Sequence, residues 1–186
     1  MPRYDLPRAA EGPLRVVQLF VNSVDREHGR EWFPTPGALA GWFAEHGLAC
    51  EGDVDGTHLT HAYELRDALR RLLRANNDGE VDGAAIAVVN AAARRGELGL
   101  ALDERGQASI EVADPSADGA LARVVAIAFE AMRDGTWSRL KACRQCEWVF
   151  WDTSKNRSGS WCSMQLCGNR RKTRAYRRRR AAEAKR

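Results

Sequence analysis

Four cysteines stand in two close pairs, Cys143-x2-Cys146 and Cys162-x4-Cys167, with fifteen residues between the pairs. Thiolates are soft ligands, and two such pairs on separate turns can close a tetrahedron around one Zn2+. Four protein thiolates leave no open position for water or substrate, so this pattern predicts a structural zinc and not a hydrolytic one. Paired thiols also serve redox exchange, but the doubled pairing favours the metal. Cys162 is expected just before a helix and Cys167 within its first turns, where the helix dipole favours negative sulfur. Cys50, alone in GLACEG, reads as a small core residue.

The second candidate follows directly: Gly168, Asn169, Arg170, Arg171, Lys172, Thr173, Arg174, Ala175, Tyr176, then Arg177 to Arg180. At helical spacing Arg170, Arg174, Arg177 and Arg178 share one face, flanked by Arg171 and Lys172. Such a face suits phosphates. Arginine also offers a fork to guanine and asparagine one to adenine, so Asn169 and Arg170 are the candidates for base reading. Lys155 and Arg157 add charge from the turn KNRSGS between the cysteine pairs. A charge run by itself reads equally well as a solvated tail. Its place on a metal-organised helix points instead to nucleic acid, with DNA and structured RNA both open on charge alone.

Other chemistry is thinly supported. His58 and His61 have a ligand-like spacing near Asp53, Asp55 and Glu64, but no third ligand is defined and capping histidines are commoner. No nucleotide-binding glycine loop and no G-x-S-x-G motif occur, so the chain is not expected to be an enzyme. Asn22, Trp32, Trp42 and Arg66 are candidates for a small-effector pocket, from a polar residue in an apolar helix and tryptophans near loops. Each is more often ordinary core or rim.

The elements that must position these groups read as mainly α with a small β-hairpin: a helical N-terminal domain followed by a treble-clef-like four-cysteine zinc finger. Pro13 opens a helix carrying Leu14, Val17, Val21 and Val24. Thr35-Pro36 starts a second, with Leu39, Trp42 and Phe43, which Gly47 stops. A third spans about 60–76. A fourth spans about 82–95, with Ile86, Val89 and Ala93 inward. Leu98, Leu100 and Leu102 alternate, as do Ile110 and Val112 beyond a turn glycine, which predicts a hairpin. A fifth helix, about 116–132, places Val125, Phe129 and Met132 on its apolar face. In the finger, residues 147–151 read as a strand, 155–160 as a turn and Trp161 as the resumed strand.

Charge divides the chain near residue 138. Residues 139–186 hold fifteen Lys/Arg against three acids, and residues 1–138 hold fourteen against twenty-two. An acidic body (1–138) joined to a basic zinc-bearing arm (139–186) implies a polyanionic partner, and body and arm should attract one another in its absence. No apolar run is long enough to span a bilayer, and no signal peptide is legible, so no membrane partner is expected. The expected placement is cytoplasmic, at the nucleoid when bound to DNA.

The stretch from Trp148 to Arg180, with Cys167, Gly168, Asn169 and Arg170 as its motif, resembles the CGNR zinc-finger family. FVNSV (20–24), LAGWFAEHGL (39–48) and ELRDALRRLL (64–73) resemble the ABATE domain that precedes this finger in bacterial stress-induced transcription regulators. The resemblance implies a DNA-binding regulator whose N-terminal domain senses an effector or mediates assembly. It favours DNA over RNA and leaves a small-molecule effector and a homodimer as further partners.

Overall fold

The computed structural model describes residues 8–170 and residue 173. The described residues form five α-helices and three two-stranded antiparallel hairpins, in the order α1 (Leu14–Val21), β1 (Val24–Asp25), β2 (Arg30–Glu31), α2 (Pro36–Glu45), α3 (Gly56–Asp78), α4 (Gly83–Arg95), β3 (Leu98–Leu102), β4 (Ala108–Val112), α5 (Ala117–Arg133), β5 (Leu140–Ala142) and β6 (Val149–Trp151). Local chemistry accounts for most boundaries. The Thr35 hydroxyl accepts the Ala38 N–H at 3.2 Å, with Pro36 at the first helical turn. Asp55 accepts the Thr57 and His58 amides while the His58 ring accepts the Asp55 amide, a capping box that starts α3 four residues before the sequence estimate. Gly79 ends that helix in the left-handed region at φ 102°. Asp82 and Ser116 cap α4 and α5.

The main core gathers Phe20, Phe33, Leu39, Phe43, Leu65, Leu69, Leu73 and the Leu121–Val125–Ala128 face of α5. Three inward expectations fail. Ile86 is 40% exposed, Phe129 46% and Met132 42%. The reason lies in α4 and α5: Ala85 and Ala92 of α4 are the buried residues, and beyond its end Gly96 lies so close to α5 that a Cβ would stand 2.4 Å from Ala122 Cβ. Small residues let the two backbones approach, and the larger side chains turn outward. The β1–β2 hairpin is also new. Val24, expected to extend α1, pairs with Glu31, and a two-residue strand carries no alternation to read.

β3 and β4 pair as expected, Leu100 opposite Ile110 and Leu102 opposite Ala108. The finger pairs differently from the expectation. Residues 149–151 bond backwards to β5, Leu140 opposite Trp151 and Ala142 opposite Val149, so the first cysteine pair sits in the turn of this hairpin. Its two faces serve two cores. Leu140, Ala142, Val149 and Trp151 join the helical body's cluster. Phe150, with Trp148 before the strand, joins a separate cluster around Cys143, Cys162 and Cys167. No helix among the described residues is long and apolar enough to cross a membrane.

Candidate metal centre and basic segment

The sulfurs of Cys143, Cys146, Cys162 and Cys167 all lie within 4.8 Å of one another, and among the described residues no other group of three or more potential ligands gathers this way. Cys146 and Cys162 are 3.6 Å apart, Cys162 and Cys167 3.6 Å, and Cys146 and Cys167 3.5 Å. A disulfide needs about 2.05 Å. Four sulfurs each about 2.3 Å from a central Zn2+ in a tetrahedron stand about 3.8 Å apart, which these separations approach. Protonation tells the same story. Hydrogen bonding with Cys143 pushes the Cys162 thiol up, and burial with the neighbouring sulfurs pushes Cys167 up to about 12. Hydrogen bonds from Cys146 and Cys162 hold the Cys143 thiol well below its ordinary value. Four thiolates this close ionise together only with a cation among them. The residues fit a single structural zinc.

The first pair is set by the knuckle turn: the Cys143 amide donates to the Trp148 carbonyl and the Glu147 amide to the Cys143 carbonyl, both at 3.0 Å. The Gln145 N–H points at Cys143 Sγ at 3.5 Å. For the second pair, Ser163 caps a single π-helical turn, Met164–Gly168, that carries Cys167 while Cys162 lies just before it. That is the arrangement the spacing predicts.

The turn bearing Lys155 and Arg157 is held from beneath. Lys141 and Asp152, both buried, pair at 2.8 Å, and the Lys141 ammonium also donates to the carbonyls of Arg157 and Gly159. Gly159 donates its N–H to Asp152 at 2.8 Å, and a Cβ there would sit 2.6 Å from a carboxylate oxygen. Burial raises the Asp152 pKa, but the Lys141 ammonium and the Ser154 and Gly159 donors outweigh it and hold the carboxyl at about 2. This buried pair, missed in the sequence, leaves Lys155 and Arg157 exposed on a fixed turn. Arg157 donates to Ser138 at 2.6 Å.

Asn169 and Arg170 are exposed directly after the capped turn. Arg170 pairs with Glu27, whose turn is shaped by Asp25 accepting the Glu27 and His28 amides. Body and arm therefore touch through opposite charges, as the charge division predicts. A second link runs from Arg26 to Asp67 at 2.7 Å and to Glu147 at 2.9 Å. Arg171, Lys172, Arg174, Arg177 and Arg178 lie outside the described residues.

The four effector candidates are spread among other duties. Asn22 is buried and bonds the finger's backbone both ways, donating to the Val149 carbonyl and accepting the Val149 amide, each at 2.8 Å. Arg66 is buried in a two-pronged pair with Glu31 at 2.8 Å per prong, 4.7 Å over Tyr63 and 5.0 Å over Phe33. Trp42 packs on Phe20, Phe33, Phe43 and His46 within the core. Trp32 is half-buried, its amide donating to the Ser23 carbonyl at 2.9 Å. Cavities of about 640 and 370 Å3 are lined by other residues. His58 caps α3, and His61 bonds Asp118 at 2.9 Å.

Sequence reasoning missed the polar seam between body and finger. Gln18 donates to Val149, Asn76 to Trp137 and Leu140, and Asn77 to Ala142 and Ser160. Asparagines inside a helix are a weak hint at such a seam, since they favour helix less than their neighbours.

The comparison with curated proteins finds no match. A family model, the CGNR zinc finger, matches residues 139–180. A second, ABATE, described as "Putative stress-induced transcription regulator", matches residues 14–135. With about two thirds of its length under that match and the finger following in order, the chain belongs to the ABATE family and carries a CGNR zinc finger behind its helical body.

Proposed function

We propose that the chain is a DNA-binding transcription regulator, in which the zinc module (139–186) presents its arginine-rich segment to duplex DNA and the helical domain (1–138) controls it. One observation carries the reading: the metal cluster anchors the turn that ends in exposed Asn169 and Arg170, the head of the basic run. Zinc thus spends no coordination position on chemistry and serves to fix the exit direction of that segment. Asn169 and Arg170 are assigned to base edges. Lys155, Arg157, Arg171, Lys172, Arg174, Arg177 and Arg178 are assigned to phosphates. The acidic Glu27 contact on Arg170 is one that DNA must displace, which ties the body's charge to affinity. The reading includes no catalysis, and it places the protein in the cytoplasm, at the nucleoid when bound.

Fluorescence anisotropy on matched duplex DNA and structured RNA tests it. Affinity for DNA should fall roughly 10³–10⁵-fold between 50 and 200 mM salt if six or more phosphates are contacted. Arg170→Glu should abolish binding with zinc content unchanged. Tighter binding to structured RNA would overturn the DNA reading in favour of an RNA- or ribosome-binding zinc protein.

A further inference from the structure

A cavity of about 640 Å3 opens where α1, β4, α5 and β6 meet. Leu14, Ile110, Ile127, Ala131 and Trp151 supply its apolar wall. The hairpin beside it continues that apolar character outward, for Leu100 and Leu102 are 83% and 72% exposed. Three carboxylates, Glu11, Glu130 and Asp134, also line the cavity, and among the described residues no lysine, arginine or histidine does. Glu130 has Arg133 at 3.3 Å, but both are largely exposed, and such a pair is weak. The Thr136 hydroxyl and amide donate to Asp134 and hold its carboxyl below the usual range, so it is charged at neutral pH.

We propose that this cavity binds a lipophilic organic cation, an apolar body of drug size carrying one positive charge. The volume suits such a ligand. The wall rewards apolar area, and Trp151 together with the carboxylates favours a cation over a neutral or anionic molecule of equal shape. Nucleic acid is the wrong occupant for the same electrostatic reason. Trp151 belongs to β6, whose Val149 is bonded to Asn22 and Gln18, so a ligand here touches helical body and zinc-bearing hairpin at once. Control of DNA affinity through this contact rests on the function proposed above. The binding itself does not.

Isothermal titration of the zinc-loaded full chain with tetraphenylphosphonium and with tetraphenylborate, alike in shape and opposite in charge, tests the site. The cation should bind one to one and at least about tenfold tighter than the anion. Ile127→Arg should remove that binding. Glu11→Gln with Glu130→Gln should weaken it several-fold while zinc content and thermal midpoint stay put, which keeps the test decisive if the arginine variant misfolds. Equal affinity for the two ions, no binding of either, or undiminished binding in the glutamine variant would each overturn the proposal. So would light scattering that finds a dimer whose formation shields the cavity, since the occupant would then be a second copy. None of these outcomes depends on whether the chain binds DNA.

Discussion

The helical body and the zinc module solve the same problem with different means. The body buries a continuous set of leucines, valines and phenylalanines contributed by α1, α2, α3 and α5. Among its described residues the zinc module sets Trp148 and Phe150 beside three buried cysteines, with Trp161 half-buried against them. A segment that short cannot bury enough apolar area, so metal ligation, a buried ion pair and the body itself complete it. The contrast stops at the β5–β6 hairpin. One face of that hairpin belongs to the body's core and the other to the metal's, so the segment boundary near residue 138 is not a packing boundary.

Zinc removal should break the comparison hardest. Structural zinc in modules of this kind contributes on the order of 10–16 kcal/mol. A chelator should release one zinc, and hydrogen exchange should then show lost protection at 143–148 and 161–168 while α1 to α5 keep theirs. Loss of protection spreading through α3 and α5 would mean that the two regions are one cooperative unit.

The shared hairpin is tested next. Leu140 is fully buried on the body-facing side, and Leu140→Ala should lower the stability read in the body's denaturant transition by about 2–5 kcal/mol. A variant that releases zinc with the body's transition unmoved would separate the two cores after all.

Acid sharpens the account of the ion pair. Asp152 has its pKa depressed to about 2 in the folded chain. Its contribution, about 2–3 kcal/mol, is present above the unfolded value near 4 and is lost as pH falls from about 4 towards about 2. Lys141→Met should shift that loss to higher pH, read by stability measurements across the interval.

Smaller effects mark the seam. Asn22→Leu removes the Val149 amide's side-chain acceptor and leaves its carbonyl with Gln18 alone as side-chain donor, and should cost about 1–3 kcal/mol, with zinc retained. Arg26→Ala removes an exposed link to Glu147 and should change the thermal midpoint by no more than about 1 kcal/mol implies. A larger change would make the surface links, and not the buried seam, the main tie between the regions.

Much of this was legible in the residues. Thr35 read as a cap, positions 82 and 116 as helix starts, the alternation about Leu100 and Ile110 as a hairpin, and the cysteine spacing as a metal site, because each depends on neighbours a few positions away. Arg66 and Asn22 were misjudged for the opposite reason. Nothing near Arg66 in the chain announces that Glu31 and two aromatic rings will close over it. Nothing near Asn22 announces that Val149 will arrive beside it. The outward turn of Ile86, Phe129 and Met132 is a further case, decided by how closely Gly96, Ala85 and Ala92 let α4 lie on α5.

The sequence by itself determined the five helices, the β3–β4 hairpin, the ligand set and the division of charge, since caps, spacing and composition act locally or add up along the chain. Only the tertiary structure decided which strand Val149–Trp151 would pair with, and hence that the knuckle sits in a hairpin turn. It also decided which polar groups would be consumed in the seam and where an apolar cavity would remain. These outcomes depend on groups far apart in sequence meeting in one place, where packing and backbone hydrogen bonding must be satisfied together.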